Sequence, residues 1–377
     1  MANIAKRSDG RWRARYRDRQ GKEIARHFER KIDAQRWLDS VTTAVANGVY
    51  VDPARSRITV AEWSQKWLDS KTNLKATTRR DYESLLHAHI RPRWGELALA
   101  DVQHEDITTW LAELTAQGLS ASRVRAAHVA LSQMLKLAVR SGRLARNAAE
   151  YVPLPRVQRA EKRYLTHAEV DALADAAGAY RAVVLFLAYT GVRYGELAAL
   201  RVDRLDMLRR RAVIDLALAE VAGRIVYSTP KTHQSRSVPI PRFLVDEIAE
   251  LVVGKDRHEH VFTRPDGQPL RLSWFRRAVF MPAVAAAGLD GLTPHGLRHT
   301  AASLAIASGA DVKVVQTMLG HASATMTLDL YGHLYADRLD EVADAMDAAR
   351  KANRADSQQI LADFLRTKPA VRPLCRA

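Results

Sequence analysis

Residues 321–335 read HASATMTLDLYGHLY. This stretch places two histidines and two tyrosines within about four helical turns, and Tyr331 and Tyr335 share one helix face because they are four residues apart. Helical spacing alone does not separate a packed aromatic face from one in which a tyrosine does chemistry. The two tyrosines are equivalent at this point, and only the rest of the chain can distinguish them.

The chain is strongly basic. Its 377 residues include 58 Lys and Arg against 42 Asp and Glu, a net charge of +16, and its pI is near 10.1. A surface field of this sign favours a polyanionic partner, with nucleic acid the leading candidate and an anionic membrane the second. The length and the 47% of hydrophobic residues predict two or three globular domains.

Targeting and redox features are sparse. The longest apolar run, AVVLFLAYTG at 182–191, is shorter than the roughly eighteen residues that a membrane span needs. The N-terminus MANIAKRSDG has no apolar signal core, which predicts a protein that stays in the compartment where it is made. The single Cys375 excludes an internal disulfide and a thiolate metal cluster. We expect no membrane partner, no metal and no cofactor.

The N-terminal segment alternates arginine with apolar residues. In RWRARYRDRQGKEIARHFE (11–29), a strand places Trp12, Ala14 and Tyr16 opposite the arginines. The RQGK turn, EIARHF and the helical pattern of KIDAQRWLDSVTTAVANG predict a three-stranded sheet covered by a helix, with a basic face open. Residues 1–57 hold 14 Lys and Arg against 7 Asp and Glu, a net +7. DNA contact is favoured over a purely solubilising role for these edge arginines. The predicted contacts are Arg11, Arg13, Arg15, Arg17 and Arg19.

A helical domain follows the linker-like VDPARSR. It begins with a capping box from Thr59 to Glu62, and Trp63 and Trp67 lie four apart, a spacing typical of a buried face. Helical patterns continue at about 76–91, 104–117 and 120–141. The basic side chains of this domain suit DNA-backbone contact and simple solvation equally well; they are Lys75, Arg79, Arg80, Arg123 and Arg125.

The last domain opens after YVPLPRVQRAEKRYL (151–165), which has the composition of a linker. Thr166 to Glu169 forms a second capping box. Helices are then interrupted by AVIDLAL, RIVYSTP and SRSVPIP, which we predict to form one three-stranded antiparallel sheet. The chain is helical again from there to the tail.

Four local clusters in this domain carry reactive side chains, and none is specific alone. Arg193 in AYTGVRYGELAAL suits an ordinary ion pair with Glu196 as well as catalysis. Lys231 in STPKTHQSRSVPI lies in a predicted turn between two strands, where a lysine can serve solubility or can act as a general acid. In TPHGLRHTAASLA, an N-cap at 293 and a proline at 294 start a helix on which His295 and Arg298 share a face. The fourth cluster is 321–335, and ASGADVKVVQTMLGHAS before it also has the spacing of a helix-turn-helix.

Together the four clusters supply two arginines, a lysine, two histidines and a tyrosine, the inventory for phosphoryl transfer without a metal. Two guanidiniums can hold the nonbridging oxygens of a phosphodiester as they gather charge. A phenol, with an ordinary pKa of about 10, needs cations or a base to attack. A lysine can protonate the departing sugar oxygen. A phosphotyrosyl link would keep the phosphodiester energy, so rejoining would need no ATP.

The order of TGVRYGELAAL, PKTHQSRSVPI, HGLRHTAASLA and LGHASATMTLDLYGH resembles that of the tyrosine recombinases, and the whole chain resembles a phage or integrative-element integrase. The resemblance implies an α+β, mainly α fold. It implies an arm-type DNA-binding domain at 1–57, a helical core-binding domain at 58–150, a linker at 151–164, a catalytic domain at 165–345 and a C-terminal tail at 346–377. In that tail, ILADFL (360–365) suits docking on a neighbouring protomer or a short helix folding back on its own chain.

The resemblance also implies roles. Arg193 and Arg298 become the phosphate clamps, Lys231 the general acid toward the leaving 5′ hydroxyl, and Tyr331 the nucleophile. Tyr335 is then assigned to packing.

The remaining polar residues take supporting roles in the same resemblance. His295 becomes a proton-transfer partner of the tyrosine, and His321 supports the scissile phosphate by hydrogen bonding. Glu196 becomes a buttress of the site. His299 has no catalytic counterpart and is interpreted as structural, and His333 as a bystander.

The family reaction joins two DNA sites through a 3′-phosphotyrosyl intermediate and a Holliday junction, within a homotetramer, to integrate and excise a phage or mobile-element genome. The implied partners are double-stranded core and arm attachment sites, a host DNA-bending protein and an excision directionality factor. The implied location is the bacterial cytoplasm, at the nucleoid during recombination. Two alternatives stay open: a type IB topoisomerase-like enzyme, and a noncatalytic helix-turn-helix regulator that uses 308–333.

Overall fold

The computed structural model describes residues 2–17, 21, 23–46, 51, 53–158, 163–229 and 235–367. Two residues assigned from the sequence, Arg19 and Lys231, lie outside the described residues. The chain divides into two compact units, residues 1–160 and 161–377. This division falls inside the stretch 151–164 that the sequence assigns to a linker, and the finer division into domains stays a prediction.

The first unit opens with a small antiparallel sheet. Strands β1 (Asn3–Lys6), β2 (Trp12–Arg17) and β3 (Glu23–Phe28) lie in that order, and helix α1 (Lys31–Ala46) covers one face. Ala14 and Tyr16 of β2 are buried against Leu38 and Val41 of α1. The predicted three-stranded sheet with a covering helix is confirmed.

The rest of the first unit is helical. It comprises α2 (Pro53–Ser56), α3 (Val60–Asp69), α4 (Ala76–Leu85), α5 (Arg91–Trp94), α6 (His104–Ala116) and α7 (Ala121–Arg140), with a π-helical turn at Leu86–Ile90 joining α4 to α5. The capping box of Thr59 and Glu62 is present. Trp63 and Trp67 are buried, and the Trp63 indole Nε1 donates to the Met134 carbonyl at 3.0 Å. The four-residue spacing of Trp63 and Trp67 thus reflects a buried helix face, as the sequence predicts.

The second unit is built around one almost fully buried helix. Helix α8 (His167–Ala176), whose capping box of Thr166 and Glu169 is present, precedes α9 (Arg181–Thr190) and α10 (Tyr194–Ala198). Nearly every residue of α9 is buried, because helices pack on it from several sides. This explains why its sequence is apolar without periodicity.

The strands that the structure describes in this unit form two sheets, so the predicted single sheet is wrong in its pairing. Strands β4 (Leu205–Asp206), β5 (Arg211–Ile214) and β8 (Arg236–Pro239) pair in the order β4-β5-β8. Strands β6 (Ala217–Val221) and β7 (Arg224–Ser228) form a separate hairpin. The segment AVIDLAL is divided at Asp215 and Leu216, which lie between β5 and β6, so each half finds a different partner.

Helices complete the second unit. They are α11 (Arg242–Val252), α12 (Leu272–Phe275), α13 (Met281–Ala286), α14 (Gly296–Ala307), α15 (Val312–Leu319), α16 (Ala324–Tyr331) and α17 (Leu339–Thr367). The predicted start of α14 is two residues too early, because the N-cap position is His295, without a side-chain cap, rather than residue 293; Thr293 Oγ1 still accepts from the Gly296 N–H at 3.2 Å. ILADFL belongs to the single long helix α17, which replaces the short separate helix considered above and contains the predicted boundary at 345. No helix among the described residues is long and apolar enough to cross a membrane.

Candidate active site

Two glycine turns bring distant parts of the second unit together. Gly191 caps the C-terminus of helix α9 with a φ of +64°, and Gly320 caps that of α15 with the same φ. A Cβ on Gly191 would lie 2.6 Å from the Leu319 Cδ2 atom. The glycine therefore permits both the left-handed turn and the close approach of the Leu319 side chain.

Arg298 joins these two turns. Its side chain, on α14, donates from Nη1 to the Gly191 carbonyl at 2.6 Å and from Nη2 to the Leu319 carbonyl at 2.7 Å. The residue is 4% exposed. Burial and the nearby charge of Arg193 lower the pKa of Arg298 to about 9, which leaves the guanidinium protonated at neutral pH. The two carbonyls use only part of its five N–H donors.

Glu196 fixes two further arginines. Its carboxylate accepts from Arg193 Nη1 at 2.8 Å, and from Arg236 Nη1 and Nη2 at 3.1 and 2.5 Å. The Arg193 backbone N–H also donates to it at 2.9 Å. Glu196 is 2% exposed. Burial alone would raise the pKa of Glu196, but the hydrogen bonds and charge of Arg236, reinforced by Arg193, lower it. The ionised carboxylate therefore stabilises the two cations.

His321 lies directly after the Gly320 turn. Its Nδ1 lies 2.9 Å from Thr327 Oγ1 on α16, and its carbonyl accepts from Gln316 Nε2 at 3.2 Å. Burial, followed by the charges of Arg298 and Arg193, lowers the pKa of His321 to about 4. The imidazole is therefore neutral at pH 7, with one ring nitrogen available as a donor.

Tyr331 is the last residue of α16, and it is 1% exposed. Its hydroxyl lies 2.7 Å from Nδ1 of His299. Burial raises the pKa of Tyr331 to about 12, although the charge of Arg298 acts in the opposite direction. The phenol is thus held neutral at rest, in hydrogen-bond contact with an imidazole.

Comparison with known proteins identifies the family. The profile described as Phage integrase family matches residues 163–338, and that of Phage integrase, N-terminal SAM-like domain matches residues 59–115. The tyrosine recombinase XerC of Mycobacterium bovis is 31% identical over 255 residues, which cover 63% of this chain and 80% of XerC. The chain belongs to the phage integrase family of tyrosine recombinases.

Two further proteins resemble this tyrosine recombinase over more of its length. The putative prophage phiRv2 integrase of Mycobacterium tuberculosis is 28% identical over 358 residues, which cover 91% of this chain and 94% of that protein. The structure of the Tn1549 transposon integrase with a circular intermediate DNA has a TM-score of 0.67 at 21% identity, covering 77% of this chain and 99% of that one. The second likeness shows that the fold is shared.

Four of the six catalytic residues assigned from the sequence lie in the site just described, namely Arg193, Arg298, His321 and Tyr331. Of the other two, Lys231 lies outside the described residues, and His295 is exposed directly before α14. The ring of His295 packs against that of His299, with centroids 5.2 Å apart and planes at 83°. The roles of all six stay predictions.

Sequence reasoning missed two residues of this site. His299, interpreted as structural, contacts the Tyr331 hydroxyl, and Arg236, which the sequence did not single out, holds Glu196. Arg236 also donates from Nε to the Met318 carbonyl at 3.1 Å. His333 is interpreted from the sequence as a bystander. In the structure its Nε2 lies 3.4 Å from the Tyr164 hydroxyl.

The predicted DNA-contacting arginines of the first unit are largely engaged with the protein. Arg13 and Arg15 pair with Glu23 at 3.0 and 3.5 Å. Arg79 pairs with Asp69 at 3.1 Å. Exposed ion pairs of this kind contribute little to stability, so these arginines can exchange their carboxylate partners for DNA phosphates. DNA contact by these arginines stays a prediction.

The other assigned basic residues of the first unit vary in their surroundings. Arg80 pairs with Asp81 at 3.5 Å, Arg123 donates to Ser84 Oγ at 2.8 Å, and Arg125 donates to the Pro155 carbonyl at 3.0 Å. Arg11 and Arg17 are exposed, and Lys75 is the residue before α4.

Among the described residues, no group of three His, Cys, Asp or Glu side chains is placed to hold a metal ion.

Proposed function

We propose that Tyr331 is the nucleophile with which this site-specific recombinase cuts and rejoins DNA, through a 3′-phosphotyrosyl intermediate. The observation that carries the proposal is the position of Arg298, which bonds to both glycine turns and so brings the Arg193 turn to the turn before His321. The same helix α14 contacts the Tyr331 hydroxyl through His299. Tyr335, four residues further along, has no assigned part in the reaction.

Arg193 and Arg298 are the proposed phosphate clamps. A phosphodiester gathers negative charge on its nonbridging oxygens during attack, and guanidiniums stabilise that charge by ionic hydrogen bonds. Glu196 fixes Arg193, and two backbone carbonyls fix Arg298, before any substrate is bound. Preorganised donors of this kind do not need to reorient as the reaction proceeds.

His321 is proposed to donate a hydrogen bond to the scissile phosphate. Its low pKa, about 4, keeps the imidazole neutral, so it acts as a hydrogen-bond donor without adding a charge.

Lys231 is the proposed general acid toward the leaving 5′ oxygen. This assignment rests on the family resemblance, since Lys231 lies outside the described residues. Arg236, five residues further along the chain, lies in the site.

The proposed reaction conserves the bond energy of the DNA backbone. The Tyr331 oxygen bonds to phosphorus as the bond to the 5′ oxygen breaks, and a 5′ hydroxyl from the partner strand later reverses the step. Two rounds of exchange, within a homotetramer on paired core sites, form and resolve a Holliday junction. The outcome is integration and excision of a phage or mobile-element genome in the cytoplasm of a bacterial host, at the nucleoid.

The proposed partners beyond the core sites are arm-type DNA sites for the N-terminal sheet, a host DNA-bending protein and an excision directionality factor. Family membership favours this function over a type IB topoisomerase and over a helix-turn-helix regulator.

The experiment begins by sequencing the DNA that the protein protects, which identifies the core site. A nicked duplex carrying that site, incubated with the protein in EDTA, is expected to accumulate a covalent protein-DNA complex. The Tyr331→Phe variant should form none, and the matched Tyr335→Phe variant should form it. An adduct that survives Tyr331→Phe, or none with the wild-type chain, would overturn the proposal.

A further inference from the structure

The hydroxyl of Tyr331 has a specific hydrogen-bond partner in the protein. Nδ1 of His299 lies 2.7 Å from it, a distance typical of a strong hydrogen bond, and the two ring centroids are 5.8 Å apart. His299 is the residue directly after Arg298, so α14 places a phosphate clamp and this imidazole side by side. His299 is half-buried, and the Tyr331 ring is buried.

We propose that His299 is the base that takes the phenolic proton of Tyr331 when the tyrosine attacks DNA. The inference rests on the proposed function, because it requires Tyr331 to be the nucleophile. It gives a role in proton transfer to a residue that sequence reasoning left as structural.

The proposed step balances in atoms and charge. The O–H bond of Tyr331 breaks and its proton moves to Nδ1 of His299, while an oxygen electron pair forms the bond to phosphorus. The phosphorus bond to the 5′ oxygen breaks, and that oxygen receives a proton from the general acid assigned to Lys231. In rejoining, a 5′ hydroxyl gives its proton to the neutral Lys231 amine as its oxygen attacks phosphorus, and His299 returns the other proton to the departing Tyr331 oxygen.

Tyr331 needs such a base because its surroundings oppose ionisation. With a pKa of about 12, the free phenolate is a very small fraction of the molecules at neutral pH. The charge of Arg298 favours the phenolate, but burial outweighs it. Removal of the proton during attack avoids a free phenolate altogether.

Geometry distinguishes His299 from His295. A general base must lie within about 2.6 to 3.2 Å of the atom that it deprotonates, and His299 meets this condition. His295, exposed and one helical turn earlier, packs edge-on against the His299 ring. His295 therefore suits a positioning residue that acts on Tyr331 through His299.

The first test measures the initial rate of adduct formation on the nicked core-site duplex. We expect His299→Ala and His299→Asn to lose at least about 100-fold in rate, the ordinary contribution of a positioned base. Asparagine keeps a hydrogen-bond acceptor but cannot take the proton, so a fully active His299→Asn would overturn the proposal. Core-site binding, measured by electrophoretic mobility shift, shows that each variant is folded. His333→Ala is the matched control, and its rate should equal that of the wild type.

Added imidazole gives a readout that a structural role would not move. We expect it to increase the rate of His299→Ala in proportion to its basic form, and to leave His333→Ala unchanged. Failure of imidazole to increase that rate would count against proton transfer and favour a packing role.

A second substrate locates the proton transfer on the nucleophile. In a duplex whose bridging 5′ oxygen at the cut is replaced by sulfur, the leaving thiolate needs no protonation. A Lys231→Ala variant should recover on this substrate, whereas His299→Ala should stay slow. Recovery of His299→Ala would move its role to the leaving group and contradict the proposal. Failure of the proposed function is seen separately, as an adduct that survives Tyr331→Phe.

Discussion

One buried carboxylate controls the charge distribution of this active site. Glu196 accepts hydrogen bonds from Arg193 and Arg236. A third arginine, Arg298, lies close enough that the negative charge of Glu196 acts to raise the pKa of Arg298. Removing one partner of a buried ion pair leaves an uncompensated charge in a low-dielectric environment. The site therefore depends on Glu196 for the position of a proposed phosphate clamp.

We predict that Glu196→Gln lowers the free energy of unfolding at neutral pH by on the order of 3 kcal/mol. The pKa of Glu196 is lower in the folded chain than in the unfolded one, so its contribution is fully present above the unfolded value of about 4.3. That contribution is lost as the pH falls through the folded value. Urea unfolding of both chains at several pH values checks this prediction, since glutamine mimics the protonated acid.

The stability difference between the wild-type chain and Glu196→Gln should shrink in acid. A difference that stays constant from pH 7 to pH 3 would show that the carboxylate charge has no part in it. Glu247→Gln is a control, because that carboxylate pairs with Arg181 through a partly exposed contact at 3.3 Å. Its effect should stay small throughout.

For single residues, the sequence predicts those site residues that belong to motifs in a fixed order. It does not predict the residues that reach the site only through contacts between distant parts of the chain. Arg193, Arg298, His321 and Tyr331 belong to ordered motifs, and the structure brings them into one site. His299 and Arg236 reach their partners across 32 and 40 residues of chain. No local pattern marks either residue, because a histidine or arginine at an arbitrary position is usually a surface residue.

The turn at Gly320 connects helix geometry to the site. Its φ of +64° is one that residues other than glycine rarely adopt, and a Cβ there would lie 2.9 Å from Arg236 Cδ. Arg236 has little freedom to move away, since Glu196 and the Met318 carbonyl hold its guanidinium. The glycine therefore serves the backbone turn and the packing of Arg236 together.

We predict that Gly320→Ala destabilises the chain and also slows cleavage. The backbone strain costs about 1 to 2 kcal/mol, and the displaced Arg236 would disturb Glu196. Gly288→Ala is a matched control, because Gly288 has a φ of +65° with no atom within 4 Å of its added Cβ. Thermal unfolding should report a similar strain in both variants, and adduct formation should be slowed only in Gly320→Ala. Equal cleavage by the two variants would contradict the proposed role of this turn.

Secondary structure follows the sequence closely wherever the signal is local. Both capping boxes and the alternation of β2 are present, because they depend on residues a few positions apart. Strand pairing in the second unit was predicted less well. Alternation identifies a strand but not its partner, and the break at Asp215 and Leu216 sends β5 to β8 and β6 to β7.

On the scale of the whole molecule, positive charge is concentrated at the N-terminus. Residues 1–57 contribute a net +7 of the total +16. Arg15 and Arg17 are exposed on the sheet face opposite α1. This distribution suits a second DNA-binding surface, separate from the catalytic residues in sequence.

We predict that a chain of residues 58–377 still forms the adduct on the nicked core site but no longer binds arm sites. Electrostatic contacts dominate affinity for DNA, so the loss should be largest at low salt. Electrophoretic mobility shift with arm-site and core-site duplexes measures both effects. Arm binding by the truncated chain would show that this DNA contact lies elsewhere.

Point variants provide a control for the truncation. Arg15→Ala and Arg17→Ala should weaken arm binding in the full chain. Arg36→Ala removes an equal charge from the exposed side of α1, on the other side of the sheet, and should have little effect. Equal losses in all three variants would indicate a general charge effect rather than a specific sheet face.

The identity of the covalent link tests the central claim most directly. Trypsin should release residues 314–338 as one peptide, which contains both Tyr331 and Tyr335. Mass spectrometry of the trapped and nuclease-treated complex should place the nucleotide on Tyr331, joined through its 3′ phosphate. A nucleotide on Tyr335 or any other residue, or a 5′ linkage, would contradict the account.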